Sequence, residues 1–434
     1  MASTQLNSQL ARLRKQPDKL QLYHALIQQQ LANKFIEVVE EDNHKTGHYL
    51  PPHAVLKDSV ITPIRIVFNC SAKLKAGSVS LNDCLQTGPS LTQRLQDVLL
   101  RFRSGVFAYT ADISKAFLRV GLQEMDRDFT KFLWVKDPQE TNSEIITYRF
   151  VSVLFGATSS PFLLQATLDT HLKKSNSPYK TEISNNLYVD NFQGTTNEEN
   201  KLVDIYHEAN RELLGANMPL QSWASSNKQL NQIIEEEFPD YKVPHKLKVL
   251  GMEWNTSTDK LNIKSVDFNH SPLTMRKLLS HVSKPFDPLG LLSPILIKGK
   301  LLMQEWWQRN LRWDETLPED LQEKWQQLIP DYNKLSILQF SRNTLGLNLP
   351  TDIHVFCDAS GKAYGSVAYL VNTQQSFLLT SKARVAPIKR RSLPQMELTA
   401  LLVGVRLAHC LIKTLSNVHL GEIVVWSDNE AVLQ

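Results

Sequence analysis

The chain has 434 residues, 42% of them hydrophobic and 21% charged, which suits a folded protein of several domains and excludes a disordered one. Its 48 basic residues against 44 acidic leave a formal charge of +4, which permits a polyanionic partner without requiring one. The four cysteines, Cys70, Cys84, Cys357 and Cys410, form no CxxC or Cys/His cluster, so neither a zinc centre nor a disulfide framework is indicated, and reduced thiols in an intracellular, cytoplasmic setting fit. The N-terminus has no basic-then-apolar signal pattern, and no run approaches the ~18 apolar residues of a membrane helix, so no membrane association is expected.

Residues 1–45 read as a polar helical segment, with Leu20, Tyr23, Leu26 and Ile27 spaced for one face. An extended stretch follows at His48 to Pro52. Residues 61–70, rich in β-branched and aromatic side chains, read as a strand. A Gly/Ser/Asn-rich loop at 76–90 precedes an amphipathic helix over 91–103. Residues 105–112 read as a buried strand ending in Asp112, 147–155 as a strand and 160–174 as a helix. Residues 187–195 form two short runs joined by Asp190-Asn191, both able to take positive φ as a hairpin turn does. A further hairpin is expected over 247–263, and helix-rich sequence over 272–345, where Leu321, Trp325, Leu328 and Ile329 share a face. Strands at 353–358, 363–371 and 376–382, a helix at 394–412 and a strand at 422–427 make a separate β-β-β-α-β unit. The chain stops at Glu430-Ala431-Val432-Leu433-Gln434, at the start of a helical pattern, so we expect a truncated piece of something longer.

Two groups of acids carry possible chemistry. Asp112 ends a strand within Thr110-Ala111-Asp112-Ile113-Ser114-Lys115-Ala116-Phe117, and Asp190 sits at a hairpin tip in Tyr188-Val189-Asp190-Asn191. Nucleotidyl transfer needs charge neutralisation more than covalent help, and Mg²⁺ wants hard oxygen ligands on a rigid base. Either acid alone reads first as a helix cap or a turn residue. The second group is Asp358 in Phe356-Cys357-Asp358-Ala359-Ser360, Glu397 in Gln395-Met396-Glu397-Leu398, and Asp428 in Trp426-Ser427-Asp428-Asn429.

With those segments in order, the sequence resembles the reverse transcriptases of long-terminal-repeat retrotransposons, the Pao/BEL group above all. Supporting blocks are Tyr49-Leu50-Pro51-Pro52-His53-Ala54-Val55, Arg65-Ile66-Val67-Phe68-Asn69-Cys70-Ser71-Ala72-Lys73, Ser80-Leu81-Asn82-Asp83-Cys84 and Leu99-Leu100-Arg101-Phe102-Arg103. Further on come Phe155-Gly156-Ala157-Thr158-Ser159-Ser160-Pro161-Phe162, Leu250-Gly251-Met252-Glu253-Trp254 and Phe286-Asp287-Pro288-Leu289-Gly290. The resemblance implies an α+β right-hand polymerase: an N-terminal segment at 1–45, fingers and palm at 46–265, a thumb/connection-like region at 266–349, and an incomplete α/β ribonuclease H-like domain at 350–434. It implies Asp112 and Asp190 as the bridging ligands of two Mg²⁺ ions, with Mn²⁺ as an alternative, and Asn191 as their catalytic neighbour. It assigns Arg65, Ile113, Phe117, Phe155 and Gly156 to the incoming nucleotide, Phe117 lying under the sugar, and Gly251, Met252, Glu253 and Trp254 to positioning the primer. Asp358, Glu397 and Asp428 match three ribonuclease H metal ligands, a fourth falling beyond Gln434, which implies an inactive unit. The partners implied are an RNA template, a DNA primer or RNA–DNA hybrid, and deoxynucleoside triphosphates; oligomeric state is left open. An intact parent element would place the chain in a virus-like particle. Lys131, Lys173, Lys174, Lys298, Lys300, Lys389, Arg390 and Arg391 are candidate phosphate contacts, though each reads first as a solvated surface charge. Trp306, Trp307, Trp313 and Trp325 read as thumb and connection core.

Three positions depart from the pattern. Asn191 and Asn69 stand where Asp is usual, and Phe155 where retroviral relatives have Gln. Asn191 keeps an oxygen ligand but removes a charge, so weakened polymerase activity is expected. The alternative is a degenerate relic that only binds nucleic acid. An aspartic peptidase would need an Asp-Ser/Thr-Gly turn; Asp287-Pro288-Leu289-Gly290 and Asp358-Ala359-Ser360-Gly361 only approach one.

Overall fold

The computed structural model describes residues 2–40, 47–56, 64–263, 273–344, 351–389, 391–416 and 418–430. The domain boundaries expected at 45, 265 and 349 lie outside these, as does Arg390. The chain forms two compact units, one of Met1–Thr92, Ile113–Asp190 and Glu208–Gln221, the other of Gln93–Asp112, Asn191–His207 and Ser222–Gln434.

In the first unit, helices Ala2–Leu13 and Pro17–Ala32 turn Leu6, Leu10, Leu20, Tyr23 and Ile27 into a core shared with Phe132, Trp134, Tyr148 and Phe150. The N-terminal segment is not helical throughout. Ile36–Val38 is a strand, pairing antiparallel with Ile145–Phe150, which also pairs with Phe132–Val135. Its partner supplies the ladder that a three-residue run cannot advertise in sequence. The segment expected as one strand over 147–155 ends at Phe150, because the chain then turns towards the left-handed Gly156 at φ +100°. Pro52–Leu56 and Ile64–Phe68 form a two-stranded ribbon, and Ser160–Lys174 is a helix as expected. Lys131 is 1% exposed, its amine 3.7 Å from Asp128, so it is an interior group and not a surface phosphate contact.

The second unit has one continuous apolar core. Strands Phe107–Ile113 and Asn191–Thr196 pair antiparallel from Phe107 opposite Thr196 to Asp112 opposite Asn191. The expected hairpin over 247–263 is three strands of a four-stranded sheet, Lys246–Val249, Met252–Asn255 and Lys260–Asn262, with Gln339–Ser341 closing it. Helices Met275–Ser283, Ser293–Gln308 and Glu319–Asn333 lie between. Trp306 and Trp325 are buried as expected, whereas Trp307 and Trp313 are 54% and 40% exposed.

The last sheet runs Ser376–Val385, Ala363–Val371, Thr351–Ala359, Leu420–Ser427, antiparallel except for the final, parallel pair. Helix Leu393–Thr414 covers one face. A Cβ at Gly404 would come within 2.1 Å of Cys357 Sγ, which shows how closely helix and sheet approach. This helix is long and apolar enough by composition to cross a membrane, contrary to the reading that no segment qualifies. Its Met396, Ala400, Leu407 and Leu411 are buried on the sheet, as in the core helix of a globular domain.

Candidate active site

Asp112 gains a rigid base from its strand. Ala108, Tyr109 and Ala111 are buried, the rings of Tyr109 and Phe192 lie 5.3 Å apart, and Phe192 meets Trp223 edge-on at 5.8 Å. Asp112 and Asn191, half-buried, form the last pair of the ladder. The phenol of Tyr241, its hydroxyl donating to the Trp223 carbonyl at 2.9 Å, is raised above its ordinary pKa by burial and then by the Asp112 charge.

The turn between Leu187–Tyr188 and Asn191–Thr196 consists of Val189 and Asp190, not Asp190 and Asn191. Pairing with Asp112 draws Asn191 into the strand, and the left-handed residue is Val189, at φ +57°. A β-branched residue there is an outlier costing about 1–3 kcal/mol, a strain that collects at functional turns. The Asp190 carbonyl accepts the Ile113 amide at 2.7 Å.

Phe117 is buried, its ring edge-on to Phe155 at 4.6 Å, while Phe155 is 45% exposed. Gly156 brings its backbone so near the strand end that a Cβ would stand 3.1 Å from the Phe68 carbonyl oxygen. Asn82, given no role from sequence, fixes this loop: its amide donates to the Gly156 carbonyl at 3.0 Å and its oxygen accepts the Thr158 amide at 2.9 Å. The signal was the Asn of the Ser80–Cys84 block. Arg65 is exposed and makes no ion pair among the described residues. In the hairpin at 246–255, Met252 and Trp254 are fully buried, leaving Gly251 and Glu253 on the outward side.

Asp358, Glu397 and Asp428 converge. Each offers a carboxylate oxygen within 4.8 Å of the others. Asp358 ends the first strand of its sheet and Asp428 directly follows the parallel strand beside it, so the topology itself brings them together. Glu397 sits in the second turn of the helix, whose start is fixed by a capping box between Ser392 and Gln395. Glu397 is 5% exposed and its Oε2 has no hydrogen-bond partner among the described residues. Burial raises its pKa most, followed by the Asp358 and Asp428 charges. Three hard oxygen donors, one of them buried and orphaned, fit a divalent cation.

Residues 274–429 match the family model described as the Pao retrotransposon-like RNaseH-like domain. Among solved structures, the foamy viral protease-reverse transcriptase in complex with dsDNA is similar over 94% of this chain and 74% of that one, at 15% identity and TM-score 0.58. The dRH form of that protein with ds DNA matches at 15% identity and TM-score 0.57, over 92% of this chain and 61% of that one. The complex with RNA/DNA hybrid matches at 14% and 0.56, over 95% and 48%. The chain thus spans about three-fifths of the dRH form and about half of the protein in the hybrid complex. No curated protein matches. At such identities the likeness establishes the fold alone, a mixed helix and strand architecture like that of the foamy viral structures, with the ribonuclease H-like match confined to residues 274–429.

Proposed function

We propose that the chain is Pao/BEL-type retroelement polyprotein sequence and acts as an RNA-directed DNA polymerase, a reading supported by the family match over residues 274–429 and by the likeness of fold to the foamy viral structures. The observation that carries the reading is the strand pair ending in Asp112 and Asn191, with Asp190 next in the chain. Asp112 and Asp190 would hold two Mg²⁺ ions, which supply charge neutralisation at the attacking and leaving oxygens. Asn191 contributes an amide oxygen without charge, so metal retention is weaker than with a third acid.

The other residues orient. Arg65, exposed and without an ion-pair partner among the described residues, is available to fork onto a triphosphate. Phe117, immobilised by burial and by Phe155, sets the floor of the sugar site and leaves no room for a 2′-hydroxyl. Gly156 lets the backbone approach the nascent base pair. The outward half of the Gly251–Glu253 turn faces the primer. A duplex partner accords with the foamy viral structures, which hold dsDNA or an RNA/DNA hybrid. Asp358, Glu397 and Asp428, whose carboxylate oxygens lie within 4.8 Å of one another, would hold a further divalent ion in the ribonuclease H-like domain.

The test is extension of a DNA primer on an RNA template with Mg²⁺ and all four deoxynucleotides, with Asp190→Asn as control. Extension by the wild type and its loss in the variant supports the polymerase. Asn191 favours a second reading, a degenerate protein that only binds nucleic acid; duplex binding without extension in either protein would establish it.

A further inference from the structure

The Phe286-Asp287-Pro288-Leu289-Gly290 segment has no part in the chemistry above, yet it is built with care. The Asp287 carboxylate accepts the backbone amides of Leu291 at 2.8 Å and Leu292 at 2.7 Å, closing the turn onto the next helix. Gly290 is left-handed at φ +71°, and a Cβ there would meet the Ser381 carbonyl oxygen at 2.1 Å. The turn is riveted to strand Ser376–Val385: the Thr380 hydroxyl donates to the Leu289 carbonyl at 2.7 Å and the Ser381 amide to the same oxygen at 2.9 Å.

What this rigid turn presents is Phe286. Its ring lies against Gly251, so close that a Cβ on Gly251 would stand 2.5 Å from a ring carbon. Gly251 and Leu250 are the two central residues of the loop joining Val249 and Met252, with φ of +92° and +48°. Two positive φ values in a two-residue loop mark a type I′ turn, and a leucine in the first position is strained. The ring covers this strained turn from outside, while 46% of Phe286 stays exposed.

We propose that Phe286 is a positioning residue for the primer end, holding the Leu250-Gly251 turn in its strained form and extending the surface on which the primer terminus rests. Met252 and Trp254 anchor the hairpin in the core, and Phe286 packs on its turn at Gly251. The ribonuclease H-like sheet, through Leu289 and Gly290, sets where that ring stands. The inference rests on the polymerase reading. Duplex affinity comes mainly from phosphate contacts, so loss of one ring leaves it nearly unchanged, whereas misplacing a reacting end slows chemistry.

The experiment uses the full chain and a DNA primer with 2-aminopurine as its terminal base, annealed to an RNA template. Duplex affinity, terminal-base fluorescence and single-nucleotide extension rate are measured for the wild type, Phe286→Ala and Phe286→Tyr. Phe286→Ala should bind within about twofold of wild type, show a brighter and more mobile terminal base, and extend about tenfold or more slowly. Phe286→Tyr should restore both signals, a rescue that general loss of structure would not give. Wild-type fluorescence and rate in Phe286→Ala overturn the proposal. If that variant does not fold, Phe286→Leu, which keeps apolar volume without a ring, is read in the same way. Should the wild type itself bind but not extend, the polymerase reading fails, and the fluorescence comparison, which needs no chemistry, decides the role of Phe286.

Discussion

Asp112 stands directly opposite Asn191 in the final pair of the antiparallel ladder between Phe107–Ile113 and Asn191–Thr196. A carboxylate faces an amide where two carboxylates would repel each other unless a cation lay between them.

Replacing Asn191 with Asp therefore has two opposed effects. Without metal, like charges directly opposite on paired strands destabilise by about 0.2–1 kcal/mol. With Mg²⁺, the added charge tightens ion binding. We expect Asn191→Asp to lower the thermal midpoint slightly in chelator and to lower the Mg²⁺ concentration for half-maximal extension several-fold. An unchanged Mg²⁺ dependence, from a robust wild-type rate, would show that the amide is no handicap.

Arg342 is fully buried, and its guanidinium forks onto Asp259 at 2.6 and 2.7 Å while donating to the carbonyls of Phe102, Gly105 and Val106 at 2.8 Å each. Asp259 also accepts the Trp254 indole N–H at 2.9 Å. One side chain thus ties the 246–262 hairpins to the turn that starts the Asp112 strand. Arg342→Ala strands a carboxylate and three carbonyls and should cost about 3–5 kcal/mol, read by chemical denaturation. Arg342→Lys should recover little, because an ammonium cannot reproduce the fork.

Much of this was legible in sequence, with the failures in identifiable places. The helix Ser160–Lys174 and the β-β-β-α-β order after residue 350 follow from clear periodicity and lie where expected. The turn at Val189 was not legible. Asp and Asn are favoured turn residues, and only the pairing of Asn191 with Asp112 displaces the turn by one position. Ile36–Val38 was missed because its stability lies in its partner strand. The Arg342–Asp259 bond spans 83 residues, and the Phe286–Gly251 contact likewise depends on tertiary structure, so local patterns carry neither. For the acids the order of motifs did the work: Asp358, Glu397 and Asp428 were named from sequence and do converge.

Glu397 gives a metal-dependent prediction. Its carboxylate is buried beside two others, so Glu397→Gln removes an unfavourable charge from the metal-free protein. The variant should melt at a higher temperature than wild type in chelator, and gain less from millimolar Mn²⁺ or Mg²⁺. Equal gains in both proteins by differential scanning fluorimetry would mean that the cluster holds no ion.

His281 stacks on Trp325 at 5.7 Å, and its pKa is held below 6.5 by burial first, then by Lys284 and Lys277. The unfolded chain takes up the proton more readily than the folded one. The stability contribution is therefore complete above pH 6.5 and is lost as pH falls below that value towards the folded-state pKa. His24 and His48 are shifted in the same direction and add to the loss. Between pH 7 and pH 5, about the range over which histidine titrates, the midpoint of His281→Phe should fall less steeply than that of wild type. Parallel profiles would remove His281 from the account.

The most direct test of the whole account is single-turnover incorporation of one deoxynucleotide into a DNA primer on an RNA template, with Mg²⁺, by wild type and Asp112→Asn at saturating duplex. Wild type should incorporate the nucleotide measurably, and the variant should be slower by at least about a thousandfold with duplex affinity retained. Equal rates in the two proteins would contradict the polymerase reading, as would a wild type that binds the duplex and adds nothing.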